Sequence, residues 1–351
     1  MHLALPVLNN QPVRPTFAQG PRSLDAVKLL RISVTDRCNL RCLYCMPDDG
    51  MDYADRDEVL SAGDLSAVAA AARSVGVGHF KITGGEPTVR GDLPAIIERI
   101  RRLDPIDLSM TTNGLRLEHL AADLRQAGLD RLTISWDTMR PDRFARIARG
   151  GVRTAADGAR QLETLRRGID AAVNAGFERL KFNVVVIGGM NEDEVADFAQ
   201  LTVDQQWTVR FIEYMPLGDA TLADDGNLYT VDNETIRAKI ERELGPLMPV
   251  DRQGEPGVGP ANIYRLREAM GRVGFISAMS QPFCETCNRL RLTATGELRS
   301  CLFDGGEVSV LPALGEQADR QALIDMMRQC VAMKPQTHCA RGNRAMNQLG
   351  G

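Results

Sequence analysis

Between Leu29 and Met215 the chain repeats one pattern: a short apolar stretch with polar residues at alternate positions, then a longer segment with helical spacing. The strand-like pieces are "LLRISVT" (29–35), "HFKITGG" (79–85), "DLSMTTNG" (107–114), "RLTISW" (131–136), "RLKFNVVVI" (179–187) and "TVRFIEYM" (208–215). Between them, "SAGDLSAVAAAARSVG" (61–76) and "NEDEVADFAQLTVDQQ" (191–206) carry helical periodicity. Each opens on a residue suited to an N-cap, Ser61 and Asn191. Six strand–helix units in succession predict a parallel sheet, either open and doubly wound or a partial barrel.

The alternation chooses between these. Arg31, Ser33 and Thr35 oppose Leu30, Ile32 and Val34, while His79, Lys81 and Thr83 oppose Phe80 and Ile82. Thr133 and Ser135 oppose Leu132, Ile134 and Trp136, and Lys181 and Asn183 oppose Leu180, Phe182 and Val184. Side chains alternate across a strand, and parallel strands buried on both faces normally read as continuous apolar runs. One apolar and one polar, cationic face suits a barrel whose interior holds a charged ligand. The third and sixth strands alternate less cleanly.

On either side the style changes. Residues 1–27 read as a loose leader, rich in Pro, Asn and Gln, ahead of the 28–244 barrel. Residues 245–351 form a C-terminal region that begins with the Gly/Pro-rich linker "LGPLMPVDRQGEPGVGP". Short strands follow near 261–268, 272–278, 290–295 and 297–303, with "TATGEL" as a hairpin turn and a helix over 315–333.

Composition adds exclusions. The net charge of −4 gives no reason for nonspecific binding to nucleic acid or anionic membranes. No apolar run approaches the roughly 20 residues of a membrane span, and the N-terminus lacks a signal-peptide pattern. The expected location is the cytoplasm. There the eight cysteines read as ligands or buried thiols rather than disulfides.

Three of those cysteines, Cys38, Cys42 and Cys45, fall in a loop at the end of the first strand, the barrel edge that carries chemistry. Three thiolates can hold three corners of a [4Fe–4S] cube and leave one iron open to a small molecule. A zinc site is the alternative, but it prefers four ligands and paired spacing. A second set, Cys284, Cys287 and Cys301, spans the predicted hairpin. It fits another three-ligand cluster or a zinc ribbon completed by Cys330 or Cys339. The Gly-Gly of "TGGEPTVR" (83–90) permits close approach of backbone to a ligand.

The Cys-x3-Cys-x2-Cys spacing after the first strand resembles the radical S-adenosylmethionine (SAM) enzymes. With "TGGEPTVR", "TTNG", "RFIEYMPLG" and "FCETCNRLRLTATGELRSCL", nearly the whole chain is similar to the GTP 3′,8-cyclases of molybdenum-cofactor biosynthesis. The resemblance implies a partial (βα)6 barrel with a small C-terminal α+β extension. It implies two [4Fe–4S] clusters, the first binding SAM and the second taking the guanine of GTP. SAM contacts would come from Tyr44, Gly85, Ser135 and Met215. GTP contacts would come from Arg31, Lys81, Thr112, Lys181, Arg210 and the Arg289–Leu290–Arg291 run. Those cations also make sense alone, since guanidinium forks suit phosphate oxygens.

The implied activity is a lyase reaction. An external electron donor drives reductive cleavage of SAM, the resulting radical removes hydrogen from C3′ of GTP, and C3′ attacks C8 to give 3′,8-cyclo-7,8-dihydro-GTP. A radical SAM enzyme modifying a peptide or protein is the competing reading. A homodimer and a contact with the next pathway enzyme are compatible with the resemblance, but no residue singled out above demands either. Residues 150–165 look longer than the family pattern, which predicts an altered peripheral loop. The terminal Gly350–Gly351 is either a frayed end or, as the resemblance implies, a tail reaching the active site.

Overall fold

A computed structural model describes residues 22–47, 50–218, 228–251, 257–304 and 307–350. Six parallel strands lie side by side in chain order. They are β1 (Leu29–Ser33), β2 (His79–Thr83), β3 (Asp107–Thr112), β4 (Arg131–Ser135), β5 (Lys181–Gly188) and β6 (Thr208–Glu213). The connecting helices are α1 (Ala62–Ser74), α2 (Leu93–Arg101), α3 (Leu117–Gln126), α4 (Pro141–Ala148), α5 (Ala155–Asn174) and α6 (Val195–Gln200). The apolar parity of the strands packs against them: Leu30, Ile82, Ile134 and Phe182 share one core with Val68, Ile97, Leu124 and Phe198.

The C-terminal region is built onto both flanks of this barrel. After β7 (Tyr229–Thr230) and α7 (Asn233–Leu244), β8 (Leu247–Pro249), β9 (Asn262–Leu266) and β10 (Arg272–Ile276) follow. Strand β10 pairs parallel with β6, and β9 and β8 extend that flank antiparallel. The chain then crosses to the opposite flank. There β11 (Arg289–Leu292) pairs parallel with β1, and β12 (Glu297–Arg299) and β13 (Val308–Ser309) extend it. No pairing joins β8 to β13 among the described residues, so the barrel stays open. Helix α8 (Arg320–Ala332) packs on α1, and the short α9 (Met346–Leu349) ends the described chain.

Local signals explain several boundaries. Ser61 caps α1 with a complete capping box to Asp64, as its position predicts. The "TATGEL" turn joins β11 to β12, with Gly296 at φ +87°. Two expectations need correction. Asn191 does not cap a helix: its side chain donates to the Asp137 and Val185 carbonyls, and α6 starts only at Val195. Residues 155–165 are not a loop but the first half of α5, capped by Thr154 and Asp157. The preceding turn is not peripheral either, because the Arg149 guanidinium donates to the Leu43 carbonyl of the first cysteine loop at 3.3 Å.

Of the stretch read as a leader, residues 22–27 pack against the C-terminal region, with Leu24 and Val27 buried and the Arg22 Nε donating to the Lys334 carbonyl at 2.9 Å. Residues 1–21 lie outside the described residues. No described helix is long and apolar enough to cross a membrane.

Candidate active site

The polar faces of the strands enclose a cavity of about 330 Å³, and both cysteine sets border it. Cys38, Cys42 and Cys45 enter from the loop after β1, and Cys284, Cys287 and Cys301 from the β10–β11 crossing and the end of β12. None of the eight cysteines forms a disulfide. Cys330 is buried in α8, and Cys339 donates its S–H to the Arg341 carbonyl, so neither borders the cavity with the second set. Among the described residues no three His, Cys, Asp or Glu side chains converge as the ligands of a single metal ion would.

The first cysteine loop is held from three sides. The Arg41 and Leu43 N–H groups donate to the Ala148 and Ile147 carbonyls, tying it to α4. Tyr44 donates to Asp137 Oδ2 at 2.7 Å, and Asp137 Oδ1 accepts from Val185 N–H at 2.8 Å. The Gly84–Gly85 turn forms the third side. A Cβ at Gly85 would lie 2.4 Å from the Arg37 carbonyl oxygen and 2.5 Å from that of Asp36, so only glycine lets the turn meet the loop leading to Cys38. Glu86 locks that turn: its buried carboxylate accepts from Thr88 N–H, from Thr112 Oγ1 at 2.7 Å and from Asn113 N–H at 2.7 Å.

Burial sets the chemistry of these thiols. It pushes Cys38 up to about 11 and Cys45 up to about 12, and burial, then the charge of Cys45, Asp137 and Cys38, raises Cys42 well above its ordinary value. A bound cationic cluster reverses that balance, since a coordinated thiol is deprotonated outright. At the second set, burial raises Cys287, but Arg289 and Lys334 outweigh it and bring the thiol down to about 7. The Arg289 guanidinium itself lies over the Phe283 ring, 4.9 Å from its centre.

Strand register explains the cation cluster. Arg291, Arg31, Lys81 and Ser109 are successive partners across β11, β1, β2 and β3. Lys181 pairs with Thr133, and Arg210 with Asn183 and Gly274. The Thr133 hydroxyl accepts from Lys81 Nζ at 3.2 Å and Arg210 at 3.4 Å. Burial first, and then mutual repulsion, lowers every one of these cations: Arg291 and Arg210 fall to about 10, Lys181 to about 7, and Arg31 and Lys81 well below their ordinary values. Positive charge concentrated and buried in this way suits an anionic ligand.

Among the described residues, two carboxylates that border the cavity are also held by other groups. Glu213 is spent on backbone, accepting from Asn233, Met279 and Ser280 N–H groups at 2.9–3.1 Å, which fixes the start of the crossing that carries Cys284 and Cys287. Asp107 is engaged by Arg131 through two 2.6 Å hydrogen bonds. Arg131 borders the cavity and was not among the residues singled out, although it shares the parity of Thr133 and Ser135.

Tyr44, Gly85, Ser135 and Met215 border the cavity, as do Arg31, Lys81, Thr112, Lys181, Arg210, Arg289 and Arg291. Leu290 is the exception. Alternation on β11 turns its side chain into the apolar core, and Leu290 does not line the cavity. Thr112 is near but committed, donating to Glu86 and accepting from Gly114 N–H. The tail arrives as well: the Gly350 carbonyl accepts from Arg31 at 3.3 Å and Arg291 at 2.9 Å, while Gly351 lies outside the described residues.

The architecture has counterparts among solved structures. Streptococcus suis SuiB bound to the precursor peptide SuiA matches with a TM-score of 0.55 at 15% identity, covering 92% of this chain and 73% of that one. Polyhistidine-tagged anSMEcpe with bound AdoMet matches at 0.53 and 16%, covering 92% and 88%. These likenesses show the fold alone. Residues 32–202 match the Radical SAM superfamily model, and residues 207–340 match Molybdenum Cofactor Synthesis C. The GTP 3′,8-cyclase of Pelotomaculum thermopropionicum is 43% identical over 330 residues, 93% of this chain and 98% of the relative. That of Heliobacterium modesticaldum is 42% identical over 332 residues, with the same shares covered. With two thiol sets and a buried cation row placed as above, the chain belongs to the GTP 3′,8-cyclase family of the radical SAM superfamily.

Proposed function

We propose that this chain closes GTP into 3′,8-cyclo-7,8-dihydro-GTP, an early step of molybdenum-cofactor biosynthesis, with a [4Fe–4S] cluster on each cysteine set. The observation that carries this reading is the sharing of one cavity by both three-thiol sets and the Arg291–Arg31–Lys81 row. Three thiols per set suit a cube that keeps one iron for a small molecule. When bound, the clusters and SAM supply the electron and the carbon radical with which ring closure begins.

The chain's own residues do the positioning. Tyr44, Gly85, Ser135 and Met215 surround the first set and hold SAM against it. Lys81, Lys181, Arg31 and Arg210 take the triphosphate, whose charge relieves the repulsion among them. Thr133 aims two of those cations from a single hydroxyl. Arg289 and Arg291 stand beside the second set, where the guanine is presented. Thr112 acts through Glu86 on the turn above the first set. Fixing both small molecules in one largely enclosed space brings the reacting carbons together and keeps water and dioxygen from a radical. The electron comes from an external donor, and the setting is the cytoplasm.

Anaerobic reconstitution with iron and sulfide, followed by SAM, dithionite and GTP, tests the assignment. The expected result is 5′-deoxyadenosine and the cyclised guanine product in equal amounts. 5′-Deoxyadenosine without a cyclised product sinks it.

A further inference from the structure

We infer that Lys334, two residues past α8, is a positioning residue for the second cysteine set: its buried ammonium braces the Cys287–Arg289 backbone and supplies the counter-charge of the cluster held there, raising that cluster's reduction potential. The inference rests on the reading that Cys284, Cys287 and Cys301 carry a cluster.

Lys334 is only 3% exposed. Its Nζ donates to the Cys287 carbonyl at 2.9 Å and the Arg289 carbonyl at 3.1 Å. These two acceptors bracket Asn288, where the crossing enters β11, so one ammonium fixes the backbone on both sides of that entry. The side chain does not border the cavity, which separates it from the cations that face substrate.

Its charge is the informative part. A buried ammonium is costly unless paired, and among the described residues no carboxylate is ion-paired with it. Carbonyl dipoles compensate only in part. Cys330 stands one turn earlier, within α8, but burial pushes its thiol up to about 12, so it stays neutral. A further cation, Arg289, stands close enough to oppose the charge. Burial lowers the ammonium below its ordinary range, and the groups close enough to favour its charge are the sulfurs of Cys287 and Cys301. Three thiolates on an oxidised cube leave a net negative charge, and one electron makes it more negative. Net charge and nearby hydrogen bonds set such potentials. A fixed ammonium therefore favours the reduced state, and no proton moves.

The test uses reconstituted full-length protein in anaerobic, EPR-monitored redox titrations, with the second cluster identified by the signal lost in a Cys284→Ala/Cys287→Ala/Cys301→Ala variant. Lys334→Met and Lys334→Gln are expected to move the second cluster's midpoint to a more negative potential. The first cluster should stay in place, and Lys334→Arg should remain near the wild type. Loss of the second cluster's iron in both neutral variants but not in Lys334→Arg also supports the inference. A wild-type midpoint in iron-loaded Met and Gln variants overturns it, as does loss of that iron in all three. If iron content and signal are unchanged by replacing the three cysteines, the cluster reading falls, and the inference with it.

Discussion

Arg31 and Arg291 are direct partners on adjacent parallel strands and donate to one and the same acceptor, the carbonyl oxygen of Gly350. The tail thus places a backbone acceptor inside the cation row, shared by two buried guanidiniums. Gly350 can take this place because it is a glycine. Its φ is +66°, and a Cβ would lie 2.6 Å from Thr83 Oγ1 and 2.9 Å from Ser33 Cβ.

Gly350→Ala should therefore unseat the tail without harming the fold. The left-handed conformation alone costs about 1–2 kcal/mol for a residue with a side chain, a factor of about 5–30 in tail docking. Cyclisation is expected to fall by at least that factor at an unchanged thermal midpoint, with faster proteolytic clipping after residue 340. Wild-type turnover in Gly350→Ala removes the tail from the mechanism.

Lys181 should make GTP binding pH-dependent. Burial, then Arg210 and Arg131, hold its ammonium at about 7 instead of 10.5. In the empty protein it loses its proton as pH rises through 7, so GTP affinity should fall between pH 7 and 9, with proton uptake on binding near pH 8. The stability sign is opposite: between about 7 and 10.5 the unfolded chain binds the extra proton, so this residue's share of stability grows with pH. Calorimetry in buffers of different ionisation enthalpy measures the uptake. Lys181→Met should abolish it.

Gly85→Ala tests the packing behind the first cysteine set. The new methyl collides with the Arg37 and Asp36 carbonyls, and the loop must shift just before Cys38. Iron content after reconstitution is expected to halve, with the second set still loaded. An unaltered iron content would show that the turn can yield without disturbing the thiols.

Tyr44→Phe removes the donor to Asp137 Oδ2, a hydrogen bond to a charged group that contributes about 1.5–3 kcal/mol. Burial raises Asp137 to about 6, against which the Tyr44 and Val185 hydrogen bonds favour its charged form. A carboxyl raised above its unfolded value loses its share of stability as pH climbs through 6. Without Tyr44 that loss deepens, so the denaturation midpoint of the variant should drop more at pH 8 than at pH 5. An equal drop at both would locate the role of Tyr44 in packing.

Much of the barrel was legible because a polar interior leaves a period-two trace: Arg31, Lys81, Thr133 and Lys181 stand on one parity, and the core residues on the other. The cysteine spacing was equally local. What escaped depends on partners distant in the chain. Nothing near Arg291 announces that β11 will run parallel beside β1 and set it level with Arg31. Only the folded chain shows which backbone groups Glu213 and Lys334 hold. Other misses had local signals. The Thr154–Asp157 capping box marked a helix where a loop was expected, and the parity of Arg131 placed it in the cavity. Leu290, taken from a run of three, faces away for the same reason its two neighbours face inward.

The crossing from β10 to β11 also dictates an order of assembly. The first thiol set is complete once residue 45 has been made, yet the second needs two outer strands that join opposite edges of a sheet begun some 250 residues earlier. Such long-range closure is slow to form. A ribosome-bound nascent chain can offer iron its first trio of sulfurs, but the second trio comes into being only when the last quarter of the polypeptide has wrapped the barrel.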